Sequence, residues 1–130
     1  MNLKGEGRVV ILVVEDNAAN RMLIEAVLQA DGYRVNTART APEALASIQA
    51  DRPDLILMDI QLPGQDGLSL TRHLKSDPAQ AGIPVVAMTA HAMTADRQRS
   101  LDAGCVGYIA KPFDTRLIGS QIEGFLGRAP

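Results

Sequence analysis

Val9-Val10-Ile11-Leu12-Val13-Val14-Glu15-Asp16 is an apolar run that ends in two carboxylates, and Leu55-Ile56-Leu57-Met58-Asp59 repeats the pattern with one. Uninterrupted runs of aliphatic residues read as strands covered on both faces, as in a parallel sheet flanked by helices. In open sheets of that kind, ligands bind beyond the carboxyl ends of the strands. Both acidic sites therefore fall where a binding crevice belongs. Three carboxylates at one mouth raise one another's pKa, so the arrangement calls for a cation.

The chain around these runs alternates helix and strand signals. Ala19, Met22, Leu23, Ala26, Val27 and Ala30 recur at spacings of three and one, the stripe of an amphipathic helix, with Asn17 able to cap its start and Gly32 its end. Tyr33 to Asn36 is a short strand candidate, and Thr40-Ala41-Pro42-Glu43 has the capping-box pattern ahead of a helix carrying Ala44, Leu45 and Ile48. Pro53 stops that helix. After the Leu55 to Met58 strand, a turn-rich loop with Pro63, Gly64 and Gly67 leads into a helix with Leu68, Thr71 and Leu74 inward. Val85 to Met88 is the fourth strand, the next helix ends near Ala103-Gly104, and Val106 to Ile109 is the fifth strand. A last helix is predicted from Asp114, with Leu117, Ile118, Ile122 and Phe125 inward and Leu126 beside them. Five strands alternating with five helices make an α/β fold, a three-layer sandwich around a five-stranded parallel sheet.

At 130 residues and 46% hydrophobic, the chain fits one domain with a sizeable core. That domain is expected over residues 8–126, between a flexible N-terminus expected at 1–7 and a tail expected at 127–130. A net charge of −2 argues against a direct nucleic-acid partner, which needs a basic patch. No apolar stretch has the length of a membrane span and no signal peptide opens the chain, so a cytoplasmic location is expected, without membrane insertion. The lone Cys105 has no internal disulfide partner and sits beside Val106 and Gly107 as a small buried hydrophobe.

The predicted strand ends bring Glu15, Asp16, Asp59, Thr89 and Lys111 to one edge. Hard carboxylates there suit Mg²⁺, which takes one or two carboxylates together with waters and phosphate oxygens. Such a metal implies a phosphoryl ligand. Asp59 can act as nucleophile while the metal and the Lys111 ammonium neutralise developing charge and the Thr89 hydroxyl donates to another phosphoryl oxygen.

Taken in order, Val14-Glu15-Asp16-Asn17, Met58-Asp59 through Gly67, Met88-Thr89-Ala90 and Lys111-Pro112 resemble the receiver domain of two-component response regulators. The resemblance spans nearly the whole chain. It implies the flavodoxin-like strand order 2-1-3-4-5, Asp59 as phosphoacceptor, and Mg²⁺ held by Glu15, Asp16, Asp59 and the backbone carbonyl of Gln61. It further implies Thr89 and Lys111 as phosphoryl sensors, and Tyr108 as an aromatic switch past a small Ala90. The implied partners are a histidine kinase or histidine phosphotransfer protein as donor, and a downstream protein target. Chemotaxis and cell-cycle regulators of the single-domain type look similar, and Asn17 to Arg21 leans toward the cell-cycle kind. A receiver excised from a hybrid histidine kinase or larger regulator is the alternative. Glu15 stands where many members have Asp, which suggests a water between its longer side chain and a metal. Gln65 fills a loop position that is often apolar, and Gln61 and His91 lie where the family tunes the access of water to the acyl phosphate.

Each residue also has a plainer reading. Glu15-Asp16 can complement a helix dipole, Asp59 can cap a loop, Thr89 can cap a helix, and Lys111 can be a solvated lysine. Tyr108 can be a half-buried core residue. His73 and His91 lack a partner pattern, the methionines fill the core, and Arg97 and Arg99 read as a solvated face. A haloacid-dehalogenase type phosphatase would need a second Asp two positions after the nucleophile, where this chain has Gln61. A receiver-shaped scaffold without phosphorylation is disfavoured by the intact Asp59, Thr89 and Lys111 set.

Overall fold

The computed structural model describes residues 9–62, 64, 66–90 and 95–128. In chain order the elements are β1 (Val10–Val14), α1 (Ala18–Ala30), β2 (Arg34–Ala38), α2 (Ala41–Ala50), β3 (Leu55–Asp59), α3 (Gly67–Ser76), β4 (Val85–Thr89), α4 (Ala95–Ala103), β5 (Gly107–Ala110) and α5 (Ile118–Arg128). All strand pairs are parallel, in the order β2-β1-β3-β4-β5. The three inner strands β1, β3 and β4 are buried at every residue, and the two edge strands mix buried with exposed or half-buried positions. Coverage on both faces requires continuous apolar sequence, whereas an edge tolerates polar positions. That is why β1 and β3 stand out in the sequence while β2 runs two residues past its expected end at Asn36, through Thr37 and Ala38.

Strand residues sort by parity into two cores. Leu12, Val14, Ile56, Met58, Val85 and Ala87 pack with α2, α3 and α4, and Ile11, Val13, Leu55, Leu57, Val86 and Met88 pack with α1 and α5. Cys105 belongs to the first core, where burial pushes its thiol pKa up to about 11. Among the described residues, no helix is long and apolar enough to cross a membrane.

Most caps are as expected. Asn17 Oδ1 accepts from the Asn20 N–H at 2.9 Å, and Thr40 Oγ1 from the Glu43 N–H at 3.3 Å. Gly32, at φ 94°, closes α1 while the Tyr33 N–H reaches back to the Leu28 carbonyl at 3.1 Å. Leu68, Thr71 and Leu74 are buried, and Asp66 caps α3 through the Ser69 N–H.

Two helices differ from expectation. The buried side chains of α1 are Ile24 and Leu28, and Val27 of the expected stripe packs half-buried beside them, whereas Met22 is 66% and Leu23 44% exposed, and Ala19, Ala26 and Ala30 face solvent. Apolar residues lie almost all round this helix, so periodicity alone left its rotation open. Arg21 helps fix it: Nη1 donates to the Glu15 carbonyl at 3.0 Å and the Asp16 carbonyl at 3.3 Å, and positions 21, 24 and 28 share a face. The last helix starts at Ile118 rather than Asp114. Asp114 instead organises a turn, its Oδ1 accepting from the Arg116 N–H and its carbonyl from the N–H groups of Leu117 and Ile118. Leu117 therefore lies outside α5 and is half exposed, while Ile118 and Ile122 are buried. Pro63, Gln65 and His91, each named from the sequence, lie outside the described residues.

Candidate functional site

The carboxyl ends of four neighbouring strands supply the site. Glu15 follows β1, Asp59 ends β3, Thr89 ends β4 and Lys111 follows β5. Parallel pairing brings these ends together at one edge of the sheet. Glu15 and Asp59 are 1% and 3% exposed, while Asp16 next to Glu15 is open to solvent. One oxygen from each of these three carboxylates lies within 4.8 Å of the others.

Backbone N–H groups hold two of the carboxylates. The Asn17 N–H donates to Glu15 Oε2 at 3.1 Å, and the Gln61 N–H to Asp59 Oδ1 at 2.9 Å. Lys111 Nζ donates to Asp59 Oδ2 at 2.8 Å and stands 3.1 Å from Glu15 Oε1, an ion-pair contact outside hydrogen-bond geometry. Burial alone would lower the Lys111 pKa. Its two carboxylate neighbours outweigh that and hold it above the ordinary lysine value. Burial, reinforced by Asp59, pushes the Glu15 carboxyl up.

One ammonium faces three carboxylates, and the buried Glu15 Oε1 has no hydrogen-bond partner among the described residues. A buried carboxylate oxygen that no hydrogen bond satisfies, and that shares its one ammonium neighbour with Asp59 in an all-oxygen, anionic cluster, is what a hard divalent cation relieves. The residues therefore fit a metal site.

Gly67 has a part that its sequence position, inside a turn-rich loop, did not reveal. Its N–H donates to the Ile60 carbonyl at 3.0 Å, and a Cβ at this position would collide with the Asp59 carbonyl. Only glycine lets α3 start this close to β3.

On the other side, Thr89 Oγ1 donates to Asp96 Oδ2 at 3.1 Å, and the Arg97 guanidinium carbon lies 5.5 Å from the centre of the half-buried Tyr108 ring. Neither Asp96 nor the Arg97 contact was legible, because an acid in the first turn of a helix and an arginine on its exposed face are ordinary surface features. Ala90 is exposed beside Lys111, the two lining one shallow pocket, and His73 is a surface residue.

Residues 11–123 match the family model described as the response regulator receiver domain. The chain belongs to that family. It is 43% identical to the polar-differentiation response regulator DivK of Brucella anthropi over 92% of this chain and 97% of that protein. Among solved structures, the receiver domain of a Pseudomonas aeruginosa sensor histidine kinase, with a magnesium ion coordinated in its active-site cleft, is 38% identical and superposes with a TM-score of 0.83 over 92% of this chain and 98% of that one. The chemotaxis response regulator CheY4 of Vibrio cholerae superposes at 0.85 with 25% identity, covering 91% of this chain and 98% of that one. The receiver fold, the strand order and the acidic pocket implied by the sequence motifs are thus present, and membership of this family removes the dehalogenase-type phosphatase reading.

Proposed function

We propose that this receiver takes a phosphoryl group onto Asp59 from a phosphohistidine on a kinase or phosphotransfer protein, and that the modification alters a protein-binding surface. The observation that carries the reading is the Asp59 carboxylate itself, nearly buried, with one oxygen held by the Gln61 N–H and the other by Lys111. Fixed donors on both oxygens orient the nucleophile before a donor arrives. The carboxylate attacks phosphorus, the P–N bond breaks, and its electron pair returns to the imidazole.

Glu15, Asp16, Asp59 and the Gln61 carbonyl would hold Mg²⁺, which when bound offsets the negative charge of the cluster and of the incoming phosphoryl oxygens. Lys111 follows the new charge with its ammonium, and the Thr89 hydroxyl donates to a phosphoryl oxygen. Domain chemistry of this kind modifies only the chain that performs it.

A donor surface lies next to the mouth. Met22 and Leu23 are exposed on α1, and a shallow pocket of about 270 Å³ is lined by Asn20, Leu23, Ala90, Lys111, Pro112 and Phe113. Apolar side chains exposed at the rim of a charged site suit a protein donor better than a small metabolite.

Intact-mass spectrometry after incubation with Mg²⁺ and acetyl phosphate tests the assignment. One phosphoryl adduct on the wild type and none on Asp59→Asn is expected, with the fold retained because the change is nearly isosteric. An adduct that persists on Asp59→Asn would overturn Asp59 as the acceptor.

A further inference from the structure

We infer that Asp96 is a latch that holds Thr89 away from the phosphoryl group and thereby sets how readily the domain switches. The inference rests on the phosphoacceptor reading of Asp59. Asp96 lies in the first turn of α4 with its side chain 15% exposed, and its two carboxylate oxygens are engaged in different directions. Oδ2 accepts from Thr89 Oγ1 at 3.1 Å, and Oδ1 accepts from Arg99 Nη1 at 2.8 Å. The Asp96 carbonyl also accepts from the hydroxyl of buried Ser100 at 2.7 Å. The carboxylate is thus aimed at Thr89 by groups within its own helix.

A threonine hydroxyl carries one proton. It donates to Asp96 or to a phosphoryl oxygen, and not to both at full strength. Phosphorylation therefore has to break the Thr89–Asp96 bond. The next residue, Arg97, lies over the ring of Tyr108 on β5, so the first turn of α4 is fastened to β4 and β5 at consecutive positions. Release of the first fastening loosens the helix that carries the second. Complementing the helix dipole accounts for a negative charge at this position, but not for a carboxylate held against the Thr89 hydroxyl at the end of β4.

Removing the latch is expected to favour the phosphoryl-bound state. Beryllofluoride with Mg²⁺ serves as the probe. Its binding is followed by ¹⁹F NMR of fluorotyrosine, with a Tyr33→Phe variant assigning the Tyr108 signal, since the chain has two tyrosines. Asp96→Ala should bind about two- to ten-fold more tightly than wild type, the range one net hydrogen bond supplies. Asp96→Asn removes the same charge yet keeps an oxygen acceptor, so it should bind close to wild type. In a Thr89→Val background Asp96→Ala should have no effect.

Equal tightening in Asp96→Asn and Asp96→Ala would assign the effect to charge and overturn the latch, as would tightening that survives Thr89→Val. Should Asp96→Ala lose its fold, Arg99→Ala, at an exposed position, frees the aim of the carboxylate and is expected to tighten binding by less. Unchanged affinity in that variant would then overturn the latch. Wild-type protein that takes up neither beryllofluoride nor a phosphoryl group overturns the acceptor reading, and the latch with it. Wild-type binding that Asp96→Ala leaves unchanged overturns the latch alone.

Discussion

At the ends of β1 and β3, Glu15 and Asp59 are buried and tied to the backbone: Asn17 and Gln61 N–H groups hold them, and Gly67 seats α3 directly on the Asp59 carbonyl. At the ends of β4 and β5, Thr89 and Tyr108 meet the side chains of Asp96 and Arg97, which come from a helix whose only buried residues are Ser100 and Ala103. Backbone ties move only when the chain moves. Side-chain contacts can be exchanged for others at a cost of about 1 kcal/mol. On the proposed function, the difference divides labour, with the acceptor chemistry on the rigid half and the response on the half that can rearrange.

The largest test of this contrast is Gly67→Ala. A methyl group that meets backbone has no flexible neighbour to displace, so a loss of about 3 kcal/mol is expected in urea denaturation. A loss well below 1 kcal/mol would mean that α3 shifts easily and that the acceptor half is not rigid.

Glu15→Gln should act in the opposite direction and by less. Burial and Asp59 raise the folded-state pKa of Glu15 above its ordinary value of 4.5, so the folded state binds this proton more tightly than the unfolded chain. The stability it contributes is full below that value and is lost as pH rises through the raised pKa. Without divalent cations, Glu15→Gln should be about 1 kcal/mol more stable than wild type at neutral pH, with the gap closing on acidification. Adding Mg²⁺ should favour the wild type, since a ligand of the folded state stabilises it. Identical melting curves with and without Mg²⁺ for both proteins would remove Glu15 from the metal site.

Arg97→Ala sharpens the other half. An exposed cation–π contact contributes about 0.5 kcal/mol, so the variant should unfold almost as wild type while the Tyr108 resonance moves. A Tyr108 signal identical to wild type would show that Arg97 does not restrain the ring.

The rigid half was the more legible one. Apolar runs that stop at an acid announce both a covered strand and the place where it opens, and Thr89 and Lys111 fall at the corresponding ends of β4 and β5. The responsive half was obscure, because its contacts join residues from separate elements that each look like ordinary surface. The rotation of α1 is hidden for a related reason: Met22 and Leu23 offer as much apolar surface as Ile24 and Leu28, and it is Arg21, reaching for the carbonyls after β1, that helps select the second pair. Gly67 read as a turn residue because the backbone it must approach is supplied by another element.

Cys105 is the chain's one cysteine, and it is buried with a thiol pKa of about 11. Burial disfavours the reactive thiolate, and the core shields the sulfur from reagents in solution. The native fold is therefore silent toward maleimides. A cysteine introduced on the surface of α4 can carry a spectroscopic label alone, and unfolding would announce itself as a second site of labelling.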